Sequence, residues 1–360
     1  MTKFWMAAVA AAVAAGPAPA MAAAYSAEYV FGDSLSDRGN LAELIQPPGV
    51  NFPSPPSNHD SFTNGPVAVQ LLAQSYGLNA NPSLFVTGFT DPKGLQGGAA
   101  VVPGTNYAVA GATAAAQPLV AGGIPGANLP QQVAAYGLAA GGMADPAALY
   151  VVMTGGNDVR NAALQGTGTA AVITGVQTEL AAVQTLAAEG AKKFLVVNVP
   201  NVGIIPEFAQ DHPAVAANAT LYSQQYDLAL ASGLASLALP SGTSLTQFDL
   251  YSYNSGIIAN AAAYGLTDLT DRCYTSTPLS AATSAQCGAN AANINQFVYW
   301  DAIHPTGKVQ ALWATGFETA LGVPEPSSVL LLGVMLFTLA GFAKWRTGLT
   351  RAVPSRVGPL

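Results

Sequence analysis

Leu149-Tyr150-Val151-Val152-Met153, closed by Gly155-Gly156, decides how this 360-residue chain folds. Five apolar residues in a row suit a strand buried on both faces, not one that shows a face to water. Downstream the pattern changes. Residues 170–188 carry helical spacing and stop at Gly190, and residues 194–199 form another short apolar run, ended by Pro200. Upstream, Tyr29-Val30-Phe31 runs into Gly32 in the same way. Residues 67–76 have helical spacing, Tyr107-Ala108-Val109 is a second candidate strand, and residues 131–138 can be helical. A helix near 214–235, a strand near 245–250, a helix at 256–264 and a last helix from just after Pro305 to near Leu321 complete the run. Such alternation predicts an α/β fold: a mostly parallel central sheet with helices on both faces, in three α/β/α layers. Chemistry then gathers where strands end: after Phe31, Val109 and Met153, and in the loop before the last helix.

Composition narrows the function. Charged residues are 9% of the chain, against about 25% in an average soluble domain. Twelve Lys and Arg against 19 Asp and Glu give a net charge of −7, with no basic stripe to grip a phosphate backbone. Nucleic acid is therefore not an expected partner. With 51% hydrophobic residues there is ample apolar surface to bury, which argues against disorder. The uncharged stretch 94–144 is rich in Gly, Pro and Gln and reads as long surface loops around a strand.

Both ends read as addresses. In residues 1–24, Lys3 precedes an apolar run and a Pro-Ala stretch with small residues, the pattern of a secretory signal peptide cleaved after Ala20, Ala22 or Ala24. At the other end, Val323-Pro324-Glu325-Pro326-Ser327 precedes the apolar stretch 329–343, then Lys344 and Arg346. The run is short for a full span, and the basic residues after it favour the cytoplasmic side. This end resembles the PEP-CTERM sorting signal. The resemblance implies processing by a membrane protease, exosortase, in a Gram-negative bacterium that makes extracellular polysaccharide. A permanent anchor is the alternative. The expected organisation is signal peptide 1–24, working domain 25–322, sorting signal with a short transmembrane helix 323–346, and basic cytoplasmic tail 347–360. Localisation is then extracellular or at the cell surface, with transient anchoring through the C-terminal helix. Cys273 and Cys287, the two cysteines, lie in a polar loop of an exported chain, which suggests a disulfide, with free thiols as the alternative.

The strand ends carry a constellation. After the first comes Gly32-Asp33-Ser34-Leu35-Ser36-Asp37-Arg38-Gly39-Asn40, after the second Asn106-Tyr107-Ala108-Val109-Ala110-Gly111-Ala112, after the third Gly155-Gly156-Asn157-Asp158, and before the last helix Asp301-Ala302-Ile303-His304-Pro305. Ester hydrolysis needs a nucleophile, a base and donors for an oxyanion. Ser34, on the turn after a buried strand, is the candidate nucleophile. Of the three histidines, His59 sits in a Pro/Ser/Asn-rich loop and His212 at a helix start. His304 alone has a carboxylate three residues earlier. Asp301 can accept from its Nδ1–H and leave Nε2 for Ser34. Asp33, Asp37 and Asn40 are read as turn-holding residues, outside the chemistry.

In order, the four blocks resemble the signatures of the GDSL (SGNH) lipases and esterases. Phe62-Thr63-Asn64-Gly65-Pro66 and Val199-Pro200-Asn201-Val202-Gly203 also look familial. The resemblance implies a flavodoxin-like sheet, catalysis by Ser34, His304 and Asp301, and an oxyanion hole from the backbone N–H of Ser34, that of a block-two residue, and the side chain of Asn157. Many members have two glycines where this chain has Ala110-Gly111; Gly111 is the assigned donor, and Ala110 remains open. The implied activity is hydrolysis of acyl or lipid esters without cofactor or metal. Two alternatives are deacetylation of extracellular polysaccharide and an idle hydrolase fold that binds surface matrix. Gly-x-Ser-x-Gly, His-Glu-x-x-His, a phosphate loop and a dinucleotide fingerprint do not occur.

Overall fold

The computed structural model describes residues 24–45, 57, 61–83, 104–115, 127–274 and 294–322. The two terminal signals, His59, Cys287 and, of the Gly-rich stretch, residues 94–103 and 116–126 lie outside the described residues. Among the described residues, no helix is long and apolar enough to cross a membrane.

Four strands form one parallel sheet in chain order: β1 (Glu28–Gly32), β2 (Leu149–Met153), β3 (Lys193–Val197) and β4 (Ser244–Phe248). Their last residues align, with Gly32 beside Met153, Met153 beside Val197 and Val197 beside Phe248. Every residue of β2 is buried, as its unbroken apolar run requires. Full burial of such a side chain is worth about 1.5–3 kcal/mol, so β2 anchors the core. β4 (SLTQF) is half-exposed and polar, as an edge strand should be.

The expected strand at Tyr107–Val109 is reduced to a bridge between Asn106 and Val30. Residues 105–109 still continue the sheet beyond β1. Val30 N–H bonds Thr105 O at 2.9 Å, Tyr107 N–H bonds Val30 O at 2.7 Å, and Val109 N–H bonds Gly32 O at 3.2 Å. Side chains take the outer edge: Asn106 Oδ1 accepts from Ala108 N–H, and Asn40 Nδ2 donates to the carbonyls of Asn106 and Ala108. The backbone of residues 81–83 pairs with the start of this segment, with Pro82 bridged to Asn106 and Ser83 N–H on Asn106 O at 2.8 Å, and side chains replace the ladder only beyond Asn106. Counting this segment as second in the chain, the spatial order is second, first, third, fourth, fifth, that of a flavodoxin-like sheet.

Helices α1 (Asn40–Ile45), α2 (Ala68–Ser75), α3 (Leu129–Ala139), α4 (Gly156–Gln165), α5 (Gly168–Glu189), α6 (Pro213–Ser236), α7 (Leu250–Ala259) and α8 (Gly307–Ala320) flank the strands in sequence. α3 packs an aromatic cluster on the sheet, where Tyr136 and Tyr150 share a 2.8 Å hydrogen bond and Tyr29, Phe31 and Tyr107 surround Tyr136. α7 begins earlier than the expected 256–264, because Asp249 caps it by accepting from Ser252 N–H. Only a 3₁₀ turn, Ala261–Tyr264, remains of the later half. A short parallel pair, β5 (Asp268–Arg272) with β6 (Phe297–Tyr299), was not expected.

The chain divides into two compact units, Met1–Gly316 and Phe317–Leu360. All six strands and the site described below belong to the first. The described part of the second is the end of α8 and a turn closed by Gly322 N–H to Thr319 O.

Candidate active site

Ser34 stands immediately after β1. Gly32 cannot be another residue, because a Cβ there would lie 2.3 Å from the carbonyl oxygen of Met153. The turn closes with Ser36 and Asp37 N–H groups on the Asp33 carbonyl, and Leu35 N–H on Asp33 Oδ1. Asp37 then accepts from four backbone N–H groups, those of Gly39, Asn40, Leu41 and Ala110. Asn106 Nδ2 donates to Ser36 O. The first and second blocks are therefore one hydrogen-bonded body, and Asp33, Asp37 and Asn40 hold it.

The third block enters through Gly155, whose φ of 98° and close approach to the Tyr226 ring both demand glycine. It opens α4 with Asn157, whose Nδ2 donates to Ala112 O at 2.8 Å and keeps its second N–H. Asp158 accepts from Ala114 and Ala115 N–H groups and pins the chain just after the second block.

The fourth block supplies a hydrogen-bonded chain. Ser34 Oγ lies 2.8 Å from His304 Nε2, and His304 Nδ1 lies 2.9 and 2.8 Å from the two oxygens of Asp301. All three residues are buried or nearly so. Asp301 Oδ1 also accepts from Ile303 and His304 N–H groups, which folds the loop around its own carboxylate. Burial raises the Asp301 carboxyl, but the adjacent imidazole and these donors outweigh it and hold it below its ordinary value. A carboxylate kept ionised beside Nδ1 leaves Nε2 free to take a proton from Ser34.

The N–H groups near Ser34 differ in availability. That of Ala110 is committed to Asp37, whereas those of Ser34 and Gly111 have no acceptor among the described residues.

Several supports were not assigned from the sequence. Gln132 of α3 pairs its amide with both the N–H and the carbonyl of Gly32 at 2.8 Å. The Phe62–Pro66 stretch braces the histidine loop: Thr63 Oγ1 donates to Pro305 O, Asn64 Oδ1 accepts from Gly307 N–H, and the Phe62 ring lies 5.3 Å from that of His304. Glu207 N–H donates to Ala302 O, while its carboxylate takes a two-point ion pair from Arg160 of α4. A glutamine or threonine in a helix or loop carries no local sign of a partner 100 to 242 residues away. The familial look of residues 62–66 was the one available signal.

Elsewhere, His212 is exposed at the start of α6, as expected. Cys273 is disulfide-bonded and fully buried beside Tyr274 and Trp300; Cys287, its assigned partner, lies outside the described residues.

The profile of the family described as GDSL-like Lipase/Acylhydrolase matches residues 29–317, most of the chain and all four blocks. A GDSL esterase/lipase of Arabidopsis thaliana is 26% identical over 336 residues, covering 80% of this chain and 86% of that protein. An uncharacterized protein from the trpE-trpG intergenic region of Pseudomonas putida is 27% identical over 88% of this chain, which spans 51% of its length. Lipase 1 of Photorhabdus luminescens is 33% identical over 52% of this chain, which covers 24% of it. The chain belongs to the GDSL-like lipase/acylhydrolase family and is a carboxylic ester hydrolase.

Proposed function

We propose that the protein is an exported serine hydrolase acting on acyl or lipid esters through Ser34, His304 and Asp301. The observation that carries this reading is the unbroken hydrogen-bond chain from Asp301 through His304 to Ser34 Oγ. Ser34 Oγ attacks the ester carbonyl carbon while its proton passes to His304 Nε2. The carbonyl oxygen becomes an oxyanion, held by the N–H groups of Ser34 and Gly111 and the second Nδ2–H of Asn157. Asp301 stabilises the imidazolium. Collapse breaks the bond to the alcohol, which leaves with the proton from Nε2. Water then attacks the acyl-serine, giving its proton to His304, and release of the carboxylic acid returns that proton to Ser34.

Export rests on residues 1–24, and the PEP-CTERM-like segment 323–346 makes exosortase the processing partner, with the C-terminal helix in the membrane until cleavage. That sorting signal also favours a second reading, deacetylation of extracellular polysaccharide. The Cys273–Cys287 disulfide fits the same compartment.

Turnover of 4-nitrophenyl esters from acetyl to palmitoyl by the exported protein tests the mechanism. Ser34→Ala should lower kcat by about five to six orders of magnitude. Activity surviving in that variant would eliminate Ser34 as nucleophile. Absence of turnover in folded wild type would favour a narrow polysaccharide substrate or the idle matrix-binding alternative. Intact mass of the exported, unreduced protein should show both ends removed and no alkylatable thiol. Retained termini in a host with exosortase would refute the sorting reading.

A further inference from the structure

The pocket at Ser34 and Asn157 has a second polar group set that the steps above leave unused. Most of its lining is apolar, including Leu35, Val202, Ile205 and Trp313, but Arg160, Asn201 and Asn254 also line it. Each has its protein-facing bonds assigned. Arg160 gives Nε–H and one Nη2–H to Glu207, which leaves three N–H groups without a partner among the described residues. Asn201 Oδ1 accepts from Gly203 N–H and Thr220 Oγ1, so its Nδ2 is a free donor. Asn254 Oδ1 accepts from Trp313 Nε1–H, which can only donate, so the orientation of that amide is settled too and its Nδ2 is also free. Tyr299 adds a hydroxyl that can act either way. The pocket is thus rich in donors, yet carries no excess positive charge. Arg160 is neutralised by Glu207, and the acidic Asp33 is in the same lining. Donors without net charge suit uncharged oxygen acceptors better than a carboxylate or phosphate.

Resting on the ester-hydrolase reading, we propose that Arg160, Asn201 and Asn254 form a subsite for a neutral saccharide bearing the ester, hydrogen-bonding its ring, hydroxyl and neighbouring ester oxygens. The apolar lining takes the acyl group. A hydrocarbon alcohol leaves these donors desolvated and unmatched, so the subsite selects by what the competing substrate lacks.

The full chain should be assayed on glucose pentaacetate and phenyl acetate, which share the acetyl group and differ in acceptors on the alcohol. Asn201→Asp and Asn254→Asp keep an oxygen for Gly203 N–H or Trp313 Nε1–H and replace the unpaired N–H donor with a carboxylate oxygen, so the position can only accept and now repels the substrate's oxygens. Arg160→Lys keeps a cation opposite Glu207 and removes the free edge without adding negative charge. Each should lower the ratio of kcat/KM for the sugar ester over the phenyl ester by about tenfold, mainly through KM. Equal losses on both esters, or an unchanged ratio in all three variants, would overturn the subsite. Ser34→Ala run alongside separates the two readings. Abolished turnover with an unchanged ratio in the subsite variants defeats the subsite alone, whereas surviving turnover defeats the serine mechanism and the subsite with it.

Discussion

Two sets of buried carboxylates meet near Ser34 and behave oppositely. In the loop before α8, Asp301 is held below its ordinary value although it is buried. In and around the Ser34 turn, burial pushes Asp33 and Asp37 up to about 6 and Asp158 up to about 7, and on α6 it pushes the partly buried Asp227, which accepts from Val199 N–H after β3, up to about 8. Backbone N–H bonds do not explain the difference, because Asp37 accepts four of them and Asp301 two. What Asp301 has in addition is an imidazole bonded to both of its oxygens. The scaffold acids serve as acceptors that hold loops, and none of them hydrogen-bonds a cationisable side chain; Asp33 feels His304 only through space, too weakly to offset burial. Burial alone therefore does not mark a catalytic carboxylate in this protein; the cationisable partner does.

The sharpest test of that contrast replaces one acid from each set. Asp301→Asn should lower kcat by about 10⁴ near neutral pH, since an amide cannot hold the imidazole in the required tautomer or stabilise its cation. Asp227→Asn should stay within a few-fold of wild type. Equal losses in steady-state assays would erase the distinction.

On the donor side, Asn157→Ala should cost about 10²–10³ in kcat with little change in KM, because its amide is assigned to charge that appears only in the transition state. A purely KM effect would instead place Asn157 in ground-state binding.

The smallest effect concerns pH and stability. The folded-state values of Asp33, Asp37, Asp158 and Asp227 lie above the unfolded value near 4, so the fold prefers their protonated forms. Their contribution to stability is full below about pH 4 and is lost as pH rises through about 6 to 8. Asp301 acts in the opposite sense, losing its contribution only as pH falls through its depressed value. The melting temperature should accordingly be several degrees higher at pH 5 than at pH 8.5. Asp227 Oδ1 accepts from Val199 N–H while its Oδ2 is buried without a partner, so Asp227→Asn should recover part of the loss at pH 8.5 and change little at pH 5. Thermal melts at the two pH values decide this, and a wild-type melt that rises with pH would contradict the sign.

Much of the site was legible because its parts are local. A serine on a strand-to-turn junction, an aspartate three residues before a histidine, and an asparagine after two glycines each announce themselves within a few residues. α4 escaped notice because GNDVRNAALQ is short and polar on average, and its apolar stripe of Val159, Ala162 and Ala163 is barely one turn long. The segment at 107–109 read as a strand because it is apolar, yet past the short backbone bridge of Asn106 to Pro82 its outer edge is taken by Asn40 and Asn106 side chains. Nothing in a local pattern distinguishes the two cases.

Residue type and short-range spacing thus determined the order of the main-sheet strands and most of the helices, and which residues are the candidates for nucleophile, base and orienting acid. Those depend on covalent neighbours and on chemistry each side chain carries by itself. Only the tertiary structure decided that Ser34 and His304, 270 positions apart, come to 2.8 Å. It also decided that Ala110's N–H is spoken for while Gly111's has no acceptor among the described residues, and that Gln132, Asn64 and Glu207 brace the loops. Each of these is a through-space distance created when α3, the 61–66 stretch and the turn at 207–211 pack against strand ends far away in the chain. Such distances follow from burial of the whole core at once, and no window of sequence contains them.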